Sequence, residues 1–367
     1  MKENVSILSS ATTDSIPRVT INEAKSILRT LIDDISDVDS QGIFLWGPPG
    51  VGKSALVKQL AKELNRGIVD LRLPLLDPVD LRGLPVTDKE QHQAIWLPPD
   101  FLPKENSKPG ILFLDEINAA PPAIQASAYQ LILDKRVGTY KLPKDWVVVA
   151  AGNRVTDRSV AYRLPSALSN RFTHLEIDPQ IDEWVTWAWE TTIDPFIISF
   201  LRLQPHLLMQ FDPRKNQTAF PSPRSWSFSS KLAKLRDENL PLYINTLQGT
   251  IGNAAAQQFL AFINYRDELP NPKDILEGRP YEIPTQIDAQ YVLMGGLIRE
   301  LMNGLNDDKI SNFFAYVNQF ENTTYSDHAI VLIKETLNAI KSVKQKDTFM
   351  SHREFESWLT RNANFLT

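Results

Sequence analysis

Residues 47–54 read GPPGVGKS, a full match to the pattern G-x-x-x-x-G-K-[ST]. A loop of this kind binds phosphate. Its glycines let the backbone curl so that successive N–H groups face the anion, and the helix that follows adds the positive end of its dipole. Phosphate contacts are therefore expected from Gly47, Pro48, Pro49, Gly50, Val51, Gly52, Lys53, Ser54 and Ala55. Lys53 is expected on the β- and γ-phosphates and the Ser54 hydroxyl on Mg²⁺. Downstream, the run ILFLDE ends in Asp115 and Glu116. Asp115 suits the same Mg²⁺ shell, and Glu116 is placed to polarise a water that attacks the γ-phosphate. A third run, VVVAAGN, ends in Asn153, which can orient that water or touch the γ-phosphate. A turn or capping asparagine is the competing reading of Asn153. The implied chemistry is hydrolysis of ATP with Mg²⁺.

The elements needed to hold these residues are present in the pattern. GIFLW (42–46) is a short apolar run that stops at glycine and proline, as a buried parallel strand should. GIVDLRL, GILFLDE, DWVVVAAGN and THLEI are further strand candidates. Helical periodicity lies between several of them: KSALVKQLAKELN (53–65) aligns Leu56, Leu60 and Leu64, and PPAIQASAYQLILDKR (121–136) places two prolines in its first turn. Ahead of the first strand, Thr20 and Glu23 have capping-box spacing before the stripe Ile27, Leu31, Ile35. Strands alternating with helices predict an α/β fold, a P-loop αβα sandwich on a parallel five-stranded sheet. After about residue 180 strand signals fade, and segments such as 181–190, 222–238, 250–269, 288–305, 327–343 and 351–366 read as helices.

Composition narrows the class. A chain of 367 residues is long enough for two domains. With no cysteine, disulfides and thiolate metal sites are excluded, and the five histidines have no metal-ligand spacing. A net charge of −5 and an isoelectric point near 5.7 argue against a dominant nucleic-acid footprint. No apolar run approaches the ~18 residues that cross a membrane, and MKENVSILSS lacks the apolar core of a signal peptide. The expectation is a cytoplasmic protein with no membrane span.

With these motifs in place, the sequence resembles the AAA+ ATPases and, more narrowly, the MoxR family. The narrow resemblance rests on LDEINAAPPAIQASAYQLILDKRVGTYKLPKDWVVVAAGN followed by YRLPSALSNRF, with PVDLRG (78–83) and SPRSW (222–226). It departs from the family at Ala119 and Asn170, where many relatives carry arginine and aspartate. The resemblance implies Walker A at 47–54, Walker B at Asp115 and Glu116, sensor 1 at Asn153, the arginine finger at Arg171 and sensor 2 at Arg224. Arg171 ends an element just before the THLEI strand and has no carboxylate close in sequence; Arg163 competes for the finger role. A finger supplies positive charge to the neighbouring subunit's ATP, so hydrolysis would need assembly.

The implied layout is a tail over 1–15, an AAA+ nucleotide-binding domain over 16–180, a helical lid over 181–265 and a C-terminal helical extension over 266–367. Two β-hairpin insertions are expected, near 77–105 and 136–145, where ordinary surface loops are the alternative. The resemblance further implies a homo-oligomer, a hexamer, that remodels or matures a protein partner containing a von Willebrand factor A domain. Three other readings stay open: a nucleic-acid-acting AAA+ motor, a slow-turnover nucleotide-gated scaffold, and a magnesium-chelatase-like subunit. Trp184 and Trp187, three apart, are read as core packing rather than a stacking platform for bases.

Overall fold

The computed structural model describes residues 16–33, 42–88, 93–154, 157, 162, 164–215, 217–320 and 326–362. It divides into two compact units, one reaching to Gln180 and including 212–216, the other made of 181–211 and 217–367.

The first unit is built on runs too apolar for any surface. Strands β2 (Gly42–Trp46), β6 (Gly110–Asp115) and β9 (Trp146–Gly152) are buried almost throughout, as strands covered on both faces require. With β3 (Gly67–Arg72), β10 (Phe172–Ile177) and β1 (Arg18–Val19) they form one sheet in the order β1-β10-β2-β9-β6-β3, every neighbouring pair parallel. Alternate residues feed two cores. Ile43, Leu45, Val147, Val149 and Ala151 pack with helices α1 (Ile21–Asp33) and α2 (Lys53–Glu63). Phe44, Leu112, Leu114, Val148 and Ala150 pack with Ile124, Ala128 and Leu131 of another helix, Pro122–Asp134. The sheet has six strands where five were expected. The added β1 has two residues, too few to show any periodicity, and pairs Arg18 with Glu176 and Val19 with Ile177 at the edge.

Two antiparallel hairpins leave this sheet. The first pairs β4 (Leu84–Asp88) with β5 (Gln93–Leu97); residues 89–92 lie outside the described residues. Gly83 at its base has φ +86°, and a Cβ there would sit 1.9 Å from the Leu97 carbonyl oxygen, so only glycine fits. The second pairs β7 (Arg136–Val137) with β8 (Tyr140–Lys141). Its Thr139 hydroxyl donates to the Trp96 carbonyl at 2.6 Å, which ties one hairpin to the other. The tail over 1–15 lies outside the described residues.

The second unit is helical among its described residues. One apolar core runs from Trp184 to Trp358, through both the segment expected as a lid and the segment expected as an extension. Trp184 is buried in that core and Trp187 packs against it. Several helices differ from expectation. The segment 222–238 breaks at Leu232 into Pro223–Lys231 and Ala233–Glu238. A helix over Leu240–Ile251 was not among the expected segments; its Pro241 sits in the first turn, where proline is tolerated, behind an Asn239 cap on Leu242 N–H. Likewise 327–343 is two helices, Ser326–Ala339 and the start of Val343–Met350. Among the described residues no helix is long and apolar enough to cross a membrane.

Candidate active site

The carboxyl ends of β2, β9 and β6 finish level, because Trp46 is opposite Gly152 and Leu114 opposite Ala150. From β2 the chain turns through the glycine-rich loop into α2. Gly52 caps that helix in the left-handed region (φ 116°), and no side chain caps its first N–H groups. The loop therefore points the backbone N–H groups of the first turn and the helix dipole to one place.

Three strand ends then converge on it. Lys53 is buried, and its Nζ donates to the carbonyls of Gly47 (2.5 Å) and Pro48 (3.2 Å) and to Asn153 Oδ1 (3.0 Å). Ser54 Oγ donates to Asp115 Oδ2 at 2.7 Å. The strand order explains this: β9 lies between β2 and β6, so Asn153 falls between the lysine and the aspartate. Sequence distance is no guide here, since these residues come from three separate stretches.

Asp115 is buried at the end of β6, and its other oxygen accepts the Glu116 N–H at 3.0 Å. Glu116 itself is exposed and sits at φ 57°, ψ 32°. That left-handed conformation costs a non-glycine residue about 1 kcal/mol or more and directs the chain out of the strand. The pairing of a hydroxyl with a carboxylate suits a hard cation such as Mg²⁺, which takes one or two protein oxygens and completes its shell with water and phosphate. No group of three or more His, Cys, Asp or Glu side chains that could hold a metal ion occurs among the described residues.

One contributor was not read from the sequence. Asn118 is buried two residues past Glu116, and its Nδ2 donates to the Asn153 carbonyl at 2.6 Å. It holds the backbone of the residue whose side chain meets Lys53. The only sequence signal was a polar residue in the helix-leading DEIN segment.

Arg171 is elsewhere. It follows the one-turn helix Ser166–Ser169, and its carbonyl accepts the N–H of Gly42 at 3.2 Å, at the amino end of β2. Its own phosphate loop starts at the carboxyl end of that strand, about 15 Å of β-structure away. Arg171 is exposed, and its guanidinium has no hydrogen bond or ion pair among the described residues. Arg154 differs: its Nη1 pairs with Glu176 at 3.0 Å, and its N–H donates to Asp157 at 3.0 Å. Arg158 and Arg163 lie outside the described residues. Arg224 belongs to the helical unit, exposed near the start of Pro223–Lys231 behind the Ser222–Ser225 capping box.

Comparison with known proteins agrees with this geometry. Residues 43–178 match the family described as "ATPase family associated with various cellular activities (AAA)". The chain is 29% identical over 147 residues to the cell division cycle protein 48 homolog of Archaeoglobus fulgidus, a match covering 38% of the chain and 18% of that protein. It is 36% identical over 92 residues to the Holliday junction branch migration complex subunit RuvB of Christiangramia forsetii, covering 25% of the chain and 22% of that protein. The chain thus spans about a fifth of the length of these curated relatives. Among solved structures, a RuvB mutant of Thermotoga maritima aligns with TM-score 0.37 and 19% identity over 71% of the chain and 78% of its own. Residues 43–178 of the αβα unit thus match an AAA ATPase domain.

Proposed function

We propose that this chain hydrolyses ATP as one subunit of a ring, and that each active site is completed by the neighbouring subunit. The observation that supports this is the division of the machinery across the sheet. Lys53, Ser54, Asp115 and Asn153 meet at the carboxyl end of β2, whereas Arg171 is presented at its amino end. In this reading the loop N–H groups and Lys53 hold the β- and γ-phosphates. Glu116 orients the water that attacks the γ-phosphorus in line with the departing β–γ bridging oxygen, and Asn153 keeps Lys53 and the γ-phosphate in register. Ser54 and Asp115 would hold a Mg²⁺ ion, which would supply neutralising charge to the phosphates. Arg171 of the adjacent subunit adds charge where it develops, worth roughly 10³–10⁵ in rate. Arg224 is assigned the corresponding role of reporting nucleotide state from the helical unit.

The finer placement is a MoxR-type ring, a hexamer, acting in the cytoplasm on a protein partner with a von Willebrand factor A domain. It rests on the DEIN-to-GN and LPSALSNRF resemblance and on the two hairpins, whose mutual packing gives a ready surface for a client. A second reading, a nucleic-acid motor, is favoured by the RuvB match over 92 residues and opposed by the acidic composition.

Glu116→Gln tests the core of the proposal. The variant should bind ATP and assemble as the parent does, with turnover falling by about 10²–10⁴-fold. Turnover near the parent's would remove Glu116 from its role. Adding DNA should leave the parent's rate unchanged; a salt-sensitive stimulation would favour the motor reading instead.

A further inference from the structure

His174 lies in the middle of β10, opposite Phe44 of β2. Both of its ring nitrogens are engaged. Trp46 Nε1 is 2.9 Å from Nδ1, and the Ser169 carbonyl oxygen is 2.8 Å from Nε2, with the Ser169 hydroxyl at 3.2 Å. An indole N–H only donates, so Nδ1 must be the unprotonated acceptor. Nε2 therefore carries the proton, and it donates to the Ser169 carbonyl. One tautomer satisfies both bonds. The imidazole is also packed among Phe44, Trp46 and Phe172, with ring centroids 5.6, 5.9 and 6.2 Å away.

What matters is where the two bonds lead. Trp46 is the last residue of β2, directly before Gly47 of the phosphate loop. Ser169 closes the turn Ser166–Ser169, two residues before Arg171. Late carbonyls of a helix have no partner within it. The imidazole supplies one to Ser169 and so fixes the end of the turn from which Arg171 projects. Its two bonds thus connect this turn to the residue that leads into the phosphate loop.

We infer that His174 is a positioning residue for Arg171: its imidazole holds the turn that presents the guanidinium to the next subunit and ties that turn to the strand feeding its own phosphate loop. The inference rests on the proposal that Arg171 acts on a neighbour's ATP. It goes beyond it in assigning a residue outside every motif, and it makes a specific claim about sides. His174 lies in the same subunit as both faces of the machinery, yet its loss should damage the face that serves the neighbour.

Mixed assemblies of full-length subunits read that side directly. The reference mixture is Arg171→Ala with Glu116→Gln, which should regain ATPase activity because each partner supplies what the other lacks. His174→Ala alone should lose activity by up to about 100-fold, the scale of a 1 Å misplacement of a reacting group. Mixed with Glu116→Gln, which has an intact Arg171, it should regain activity as the reference mixture does. Mixed with Arg171→Ala it should stay low, since neither partner offers a well-placed finger. Trp46→Phe removes the indole N–H, keeps an aromatic ring on Phe44, and should show the same pairing pattern with a smaller loss. It carries the test if His174→Ala fails to give a parent-like melt. Recovery with Arg171→Ala, with both partners or with neither overturns the inference, as does full activity of His174→Ala alone. A reference mixture that stays dead despite demonstrated co-assembly overturns the proposal for Arg171, and this inference with it.

Discussion

In the αβα unit, Lys53 donates to carbonyl and amide oxygens, and Asp115 accepts from a hydroxyl and a backbone N–H. In the helical unit, buried charges meet buried charges. Arg236 pairs with Asp194 at 3.1 Å, both side chains under a tenth exposed, and its guanidinium lies 5.0 Å from the Phe196 ring centre. Glu335, 1% exposed, accepts from Arg202 at 2.5 Å and from the Trp189 indole. Arg202 also bonds Asp182, and the two carboxylates hold its proton more tightly than usual while the guanidinium keeps Asp182 below the ordinary carboxylate range. Charge is buried in both units; what differs between the phosphate-loop residues and these helical pairs is the kind of partner in these bonds. A charge matched inside the fold makes the fold specific, whereas charges bonded to neutral groups at one point keep their field for a ligand.

That contrast can be broken by paired measurements of melting and turnover. The largest expected effect is Arg171→Ala. Turnover should fall by roughly 10³-fold or more, while stability should move by no more than about 0.5 kcal/mol, because the side chain is exposed. A variant that lost stability instead would show that Arg171 is a structural charge. Arg202→Ala is expected to behave in the opposite way. It strands Glu335 in a dry interior and should cost about 3–5 kcal/mol, read as a lower denaturant midpoint, with turnover per folded molecule retained below the transition. A neutral melt would mean that water reaches Glu335. A second change, Glu335→Leu, should return much of the loss, since an apolar pair replaces a buried ionic one at little cost.

The site was legible wherever chemistry is written as contiguous residues. GPPGVGKS, Asp115–Glu116 and Asn153 each follow or close an apolar strand, and parallel strands deliver their ends to one edge, which is why the structure brings these candidate residues together. What the sequence hides is what depends on strand order. Nothing local says that β9 lies between β2 and β6, or that Asn118 reaches the Asn153 carbonyl. His174 read as one of five scattered histidines because its partners, Trp46 and Ser169, are fixed only once β10 lies beside β2. β1 was invisible for a different reason: two residues at a sheet edge carry no pattern. In the helical half, most helices were legible from periodicity, but Pro241 and Gly252 were harder, because the first is tolerated in an opening turn and the second only ends a helix.

Asn118→Ala offers the finest cut between the two kinds of buried polar group. Its Nδ2 bond to the Asn153 carbonyl is 2.6 Å, yet its Oδ1 is buried with no hydrogen-bond partner among the described residues. The same Oδ1 lies 2.3 Å from where a Cβ on Gly152 would be, so the side chain is confined as well as unsatisfied. Truncation removes one good bond and one unpaid acceptor together, and the two nearly cancel: stability should change by no more than about 1 kcal/mol. Turnover should respond differently. Without Asn118 the Asn153 backbone is free to shift, and with it the Oδ1 that meets Lys53. A drop in kcat of about tenfold is expected, less than the ~10²-fold loss that a full 1 Å misplacement can bring, with little change in KM for ATP. If melting fell sharply while kcat held, Asn118 would belong with Arg202 and Glu335 as part of the fold. If kcat fell while melting held, a buried residue to which no chemical role was read from the sequence would be part of the machinery through the backbone it holds.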